Sequence, residues 1–227
     1  MTREISLSGV SVDYENRRAL IDVTTRLDAH RIAVIGANGS GKSTFARLLN
    51  GLETPTSGTV SVHGLDPVRQ GKQLRRRVGF IFTNPDAQIV MPTVAEDVAF
   101  SLRGRGLSKS EIAERVASVL ADNGLGDHAD APAHSLSGGQ KQLLAICSVL
   151  VSEPELLVAD EPTTLLDAAN TRRIADLFAR LPQQIVLVTH NLRLAERCDV
   201  ALLFEGGRLV EQGEPTDVVG RYEREFA

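Results

Sequence analysis

The chain lacks any apolar run long enough to cross a membrane: the longest, LLAICSVLV at residues 143–151, is about half of the roughly 18 residues that suggest a span. Any membrane contact is therefore expected to come through a partner. The stretch MTREISLSG has none of the apolar core of a signal peptide, and cysteine is confined to Cys147 and Cys198, 51 positions apart and without metal-type spacing. A reduced, cytoplasmic setting is the expectation. Charge of either sign is not in excess, since 25 basic against 29 acidic residues leave a formal net charge of −4, so nothing demands nucleic acid as a partner. Aromatic residues make up only 4% of the chain, and the basic run RQGKQLRRR at 69–77 contains none to stack on bases. That run reads as a solvated face leading into the strand VGFIF.

What is present is ordinary for a soluble globular protein, with 227 residues, 42% hydrophobic and 24% charged, enough for one domain with subdomains. The stretches ISLSGVSVDY and LIDVTTRLD alternate and predict antiparallel strands with one wet face. RIAVIG at 31–36 is a β-branched run ending in glycine, as in a buried parallel strand that feeds a loop, and TFARLLNG follows as a helix stopped by Gly51. Further on, SKSE at 108–111 is a capping box with Ser108 as N-cap and Glu111 at the third helical position. Ile112, Val116, Val119 and Leu120 form its apolar stripe, and Asn123-Gly124 ends the helix. Two more buried-strand runs, LLVAD at 156–160 and IVLVT at 185–189, flank the helical stretch AANTRRIADLFARL. This alternation predicts an α/β fold with a parallel sheet covered on both faces.

GANGSGKS, Gly36 to Ser43, matches the phosphate-loop pattern G-x-x-x-x-G-K-[ST] in full. Its glycines let the backbone N–H groups from Asn38, Gly39, Ser40 and Gly41 through Lys42, Ser43 and Thr44 curl around phosphate oxygens at a helix N-terminus. Lys42 is expected to reach the β and γ phosphates of a nucleotide and the Ser43 hydroxyl to ligate magnesium. In LLVADEP, Asp160 and Glu161 follow an apolar strand, where open α/β sheets bind ligands. Asp160 suits the magnesium shell, and Glu161 suits a general base that polarises the attacking water.

LSGGQKQ, Leu136 to Gln142, is a second capping box, in which Ser137 caps and Gln140 reaches back. Gly138 and Gly139 then leave bare donors at another helix N-terminus, 95 residues after Lys42. One nucleotide held between two copies of the chain uses both anion sites, so a head-to-tail dimer around two nucleotides is expected.

With these motifs the chain resembles the nucleotide-binding subunit of an ATP-binding cassette transporter over nearly its whole length. The resemblance implies a P-loop NTPase fold with a mainly parallel core sheet, an antiparallel β subdomain and an α-helical subdomain. It implies one cassette domain over 1–227, with the helical subdomain and signature region near 84–140. It further implies that Tyr14 stacks on adenine, that Asp167 in LLDAAN links the two active sites, and that His190 is the switch histidine at the γ phosphate. FTNPDAQ is similar to the FQNPDxQ of energy-coupling-factor vitamin and metal importers. Thr83 then stands where relatives carry a magnesium-sensing glutamine, and Gln88 falls on the second family glutamine, facing the coupling helices of a membrane partner.

The implied protein is a peripheral ATPase at the cytoplasmic face of the cell membrane. It uses ATP and Mg2+ and works, as a homodimer, with a transmembrane coupling subunit and a substrate-binding membrane subunit. Biotin is the leading substrate, with cobalt or nickel as the alternative. A soluble repair or translation ATPase usually carries two cassettes or a coiled-coil insertion, and this chain has neither; a non-hydrolysing regulatory module is opposed by Glu161 and His190.

Overall fold

The computed structural model describes residues 3–15 and 17–226, which form two compact units. The first comprises residues 1–80, 155–161 and 182–227; the second comprises 81–154 and 162–181.

The first unit holds an antiparallel sheet of β1 (Ile5–Tyr14), β2 (Arg17–Leu27) and β4 (Ser57–Val62), with β1 in the middle. Ile5, Leu7, Val10 and Val12 of β1 are buried. A register shift between Leu7 and Val10 keeps the second pair on the core face. A six-stranded sheet runs in the order β5 (Val78–Ile81), β6 (Leu156–Asp160), β7 (Gln184–Val188), β3 (Arg31–Ile35), β8 (Val200–Glu205) and β9 (Arg208–Gly213). Strands β6, β7, β3 and β8 pair in parallel, and β9 returns antiparallel as a hairpin on β8. Every residue of β6 and β7 is buried, which is why these strands read as continuous apolar runs.

Helix α1 (Lys42–Asn50) follows β3 and ends at Gly51 in the left-handed conformation, as the sequence predicts. The Phe45 ring of α1 lies 5.2 Å from that of Phe204 on β8. Short helices α2 (Gly71–Leu74) and α7 (Leu192–Ala195) and the terminal α8 (Pro215–Phe226) complete the unit. Val218 and Val219 of α8 join Ala33, Ile35, Ala201 and Leu203 in one buried cluster.

The second unit is helical, with α3 (Val94–Phe100), α4 (Lys109–Asp122), α5 (Gly138–Leu150) and α6 (Ala168–Arg180). Three of these start on capping boxes: Thr93 with Glu96, Ser108 with Glu111, and Ser137 with Gln140. Each box satisfies two orphan donors of the first turn. Leu143, Leu144, Ala145, Ile146 and Cys147 of α5 are buried. The buried Asp97 of α3 accepts from Ser148 Oγ at 2.8 Å and from the backbone N–H of Val90 and Met91 at 2.8 and 3.0 Å, which pins the preceding loop to α5. Among the described residues, no helix is long and apolar enough to cross a membrane.

Candidate nucleotide-binding site

The first unit assembles its part of the site at the ends of β3, β6 and β7. After β3 the chain turns through Gly36, Gly39 and Gly41, all at positive φ. At Gly36 the restriction is absolute, since a Cβ would lie 2.1 Å from the Phe204 carbonyl oxygen. Asn38 and Gly39 form the exposed tip, while Ser40, Lys42 and Thr44 are buried. The Lys42 ammonium donates to the carbonyls of Gly36 at 2.8 Å and Ala37 at 2.9 Å, so it is curled into the loop it belongs to. Burial holds that ammonium below the usual lysine value, against the opposing pull of Glu161 and Asp160. The buried Ser40 Oγ has no hydrogen-bond partner among the described residues.

Ser43, one residue into α1, donates its hydroxyl to Asp160 Oδ1 at 2.9 Å. Asp160 is buried at the end of β6, which pushes its carboxyl above the usual aspartate range, and the Ser43 hydrogen bond works in the other direction. Glu161 follows at φ 55°, an unusual backbone for a residue with a side chain, and its N–H donates to the Val188 carbonyl of β7 at 3.0 Å. The turn aims the Glu161 carboxylate at His190, whose Nδ1 stands 2.6 Å from Oε2. Thr189, just before it, ties β7 to β3 by donating its N–H to Val34. Lys42, Ser43, Asp160, Glu161 and His190 thus belong to one unit, drawn from three chain segments.

Tyr14 is part of the same unit and is half-exposed. Its hydroxyl donates to Glu53 Oε2 at 2.5 Å, and the Arg17 guanidinium sits 6.0 Å from its ring centre. Burial first, and the Glu53 hydrogen bond second, raise its pKa.

The second unit holds the other expected residues. Ser137 Oγ accepts from the Gln140 N–H at 3.3 Å, and Gln140 Oε1 accepts from the Ser137 N–H at 2.9 Å. Open space surrounds the Cβ position of Gly138, whereas that of Gly139 is blocked by the Asn170 side chain at 2.5 to 2.7 Å. Asn170 in turn donates its backbone N–H to Asp167 Oδ1 at 2.8 Å and its amide to Oδ2 at 3.2 Å. Gly139 and Asp167 are therefore connected through a residue that the sequence reading passed over. An Asp three positions before an Asn at a helix start was the available signal, because Asp167 is the N-cap of α6.

Gln88 departs from expectation. Its Oε1 accepts from the Phe82 N–H at 3.2 Å and its Nε2 donates to the Ala145 carbonyl at 3.1 Å. Both ends of the amide are engaged inside the helical unit, whereas the family resemblance implies that it faces a membrane partner.

Residues 22–164 match the ABC transporter family. The chain belongs to the ABC transporter ATPase family. An ABC transporter ATP-binding protein of Deinococcus radiodurans, with no substrate in its name, is 48% identical over 96% of each chain. The biotin transport ATP-binding protein BioM of Rhizobium etli is 44% identical over 98% of this chain and 99% of its own. The cobalt import ATP-binding protein CbiO of Syntrophus aciditrophicus is 42% identical over 91% of this chain and 76% of its own. In three dimensions this ABC ATPase superposes on cbiO1 of Clostridium perfringens, part of the complex cbiONQ, with a TM-score of 0.85 at 32% identity, covering 97% and 92% of the two chains. It also superposes on a dimeric ATP-binding cassette in a post-hydrolysis state with ADP and Pi, with a TM-score of 0.83 at 26% identity, covering 93% and 98%. The protein is thus an ATPase subunit of the ABC transporter family, with the α/β cassette fold that the motifs imply, and its relatives include an energy-coupling factor transporter ATP-binding protein of Lactobacillus delbrueckii, 36% identical over 96% of this chain and 82% of its own.

Proposed function

We propose that this ATPase drives import of a small nutrient from the cytoplasmic face of the membrane, as a homodimer that encloses two ATP molecules and works with a transmembrane coupling subunit and a substrate-binding membrane subunit. One observation carries the reading: Lys42, Ser43, Asp160, Glu161 and His190 converge in one unit while Ser137 and Gly138 stand exposed at a helix start in the other. A complete set in a single sequence supports two equivalent sites in a homodimer.

ATP fits the loop because the N–H groups of a helix start, a buried hydroxyl without a partner at Ser40 and an ammonium held only by two loop carbonyls can all donate to phosphate oxygens. Lys42 exchanges its two carbonyl partners for the β and γ phosphates. Magnesium fits the hard oxygen pair of Ser43 and Asp160, and when bound it offsets charge on the phosphates. Glu161 accepts the proton of the water that attacks the γ phosphorus as the bond to the β-phosphate oxygen breaks, and ADP and phosphate leave. His190 holds the Glu161 carboxylate in line and reaches the γ phosphate. Ser137, Gly138 and Gly139 donate to the γ phosphate on the opposed copy, with Asp167 linking the two sites and Tyr14 stacking on adenine.

Biotin is the first substrate to test, because the relative named for biotin transport matches this chain nearly end to end. Cobalt is the second reading, supported by the likeness to a cobalt import ATPase. The chain should be purified from membranes with its partners and the co-purifying small molecules identified by mass spectrometry. Recovery without any membrane subunit overturns the transport reading, and a bound metal in place of biotin decides for the second.

A further inference from the structure

The turn that opens the helical unit is fastened to α5 at two points. Asn84 Oδ1 accepts from the Asp86 N–H at 3.0 Å, and the buried Pro85 starts one turn of 3-10 helix, so the segment has a fixed shape. From it, Asp86 Oδ1 receives the Lys141 ammonium at 2.7 Å. Two residues on, Gln88 donates to the Ala145 carbonyl while holding the Phe82 N–H. Lys141 and Ala145 are four positions apart on α5, about 6 Å along one helix face. Two attachments a turn apart resist both sliding along the helix and swivelling about it, which one contact cannot do.

The Lys141 end of this fastening sits at the signature motif. Lys141 is the residue after Gln140, whose side chain closes the Ser137 capping box, and its N–H donates to the Ser137 carbonyl at 2.8 Å. The Lys141 side chain is only 20% exposed, so the pair is shielded on its basic side even though Asp86 is 63% exposed. Asn84, Pro85, Asp86, Leu136, Gly138 and Lys141 border one small cavity of about 150 Å³, so turn and motif face each other across it.

We propose that Asp86 is a positioning residue for the signature site: through Lys141 it sets where Ser137, Gly138 and Gly139 present their donors, so the Asn84–Gln88 turn and α5 move as one body. This rests on the reading of Ser137 as the start of a second phosphate site. Asp86 touches no nucleotide. Its loss acts on the step that needs the aligned signature motif and leaves the phosphate loop's own binding of ATP alone.

The test uses the purified full-length chain in steady-state ATP turnover, with nucleotide binding followed separately by titration with a fluorescent ATP analogue. Asp86→Lys sets two cations against each other and is expected to lower kcat about tenfold, the scale of one charge-assisted contact, with analogue affinity unchanged. The exchange Asp86→Lys with Lys141→Asp restores the pair in reverse and places an acid in the first turn of α5, where the helix dipole favours it. It is expected to recover kcat to within about twofold of the parent. An unchanged kcat in Asp86→Lys, a loss of analogue binding, or an exchange that fails to recover turnover each overturns the proposal. Ser137→Arg in the same series separates the underlying reading: if it turns over ATP normally, the second-site assignment fails and takes this proposal with it. If it is inactive while Asp86→Lys is normal, only the positioning role falls.

Discussion

Glu161 and His190 meet side chain to side chain, Oε2 to Nδ1 at 2.6 Å, although 29 positions separate them in the chain. The contact depends on an uncommon backbone, because Glu161 sits at φ 55° and is fixed there by its hydrogen bond to Val188. A carboxylate held in a sparsely populated conformation beside an imidazole is an arrangement that packing alone does not need.

On the proposed mechanism, Glu161→Gln keeps the shape of this contact but removes the proton acceptor. Turnover should fall by about 10²- to 10⁴-fold while ATP affinity is retained. Phosphate release and equilibrium nucleotide titration measure the two separately. Loss of ATP binding in this variant contradicts the general-base role.

A second expectation concerns pH. Burial raises the Asp160 carboxyl above its unfolded value, so this group's contribution to stability is fully present below the unfolded pKa and is lost as pH rises through the folded one. Asparagine in its place has no charge to desolvate and can still accept from Ser43. The melting temperature of Asp160→Asn relative to the parent should therefore climb as pH rises through that window in nucleotide-free protein. Thermal melts at stepped pH check it, and a constant offset counts against the burial argument. The same variant should lose magnesium-dependent turnover at every pH.

Gly139 offers a steric test. An added Cβ meets the Asn170 side chain at 2.5 to 2.7 Å and must displace it from Asp167. Gly139→Ala should cost about 0.5–1.5 kcal/mol, the scale of the one side-chain hydrogen bond from the Asn170 amide to Asp167 Oδ2 that it displaces, and should lower turnover as well. Gly138→Ala meets open space and serves as the control for stability, read by urea unfolding. Equal stabilities for the two variants count against a role for Asn170.

The features legible in the sequence are those with local causes. Gly51 ends α1, and Ser108 with Glu111 starts α4, because caps act within one turn. The phosphate loop and the buried runs of β6 and β7 were readable for the same reason. Gln88 was not, because its partner Ala145 is 57 positions away and nothing near Gln88 announces it. Asp97 shows the same limit: an acid in the first turn of α3 reads as a solvated dipole partner, yet it is buried and holds Ser148 and the Val90–Met91 backbone. Such residues gain their meaning from tertiary proximity, which spacing does not encode.

That use of Gln88 bears on the last prediction. With its amide already spanning Phe82 and Ala145, Gln88 is poorly suited to stand in for the magnesium-sensing glutamine that the resemblance to energy-coupling-factor importers implies five positions earlier. Thr83 occupies that position, with a side chain shorter than glutamine. If Thr83 is a weakened sensor, lengthening it strengthens a polar contact made in the transition state, each tenfold in rate corresponding to about 1.4 kcal/mol. Thr83→Gln should raise basal ATP turnover of the isolated subunit several-fold. Transport by the full complex should change less, because conformational steps commonly limit such cycles. Side-by-side assays of the subunit alone and of the reconstituted complex test this. Unchanged basal turnover in Thr83→Gln, together with its abolition in Gln88→Ala, returns the sensing role to Gln88 and shifts the alignment by the five residues of the loop.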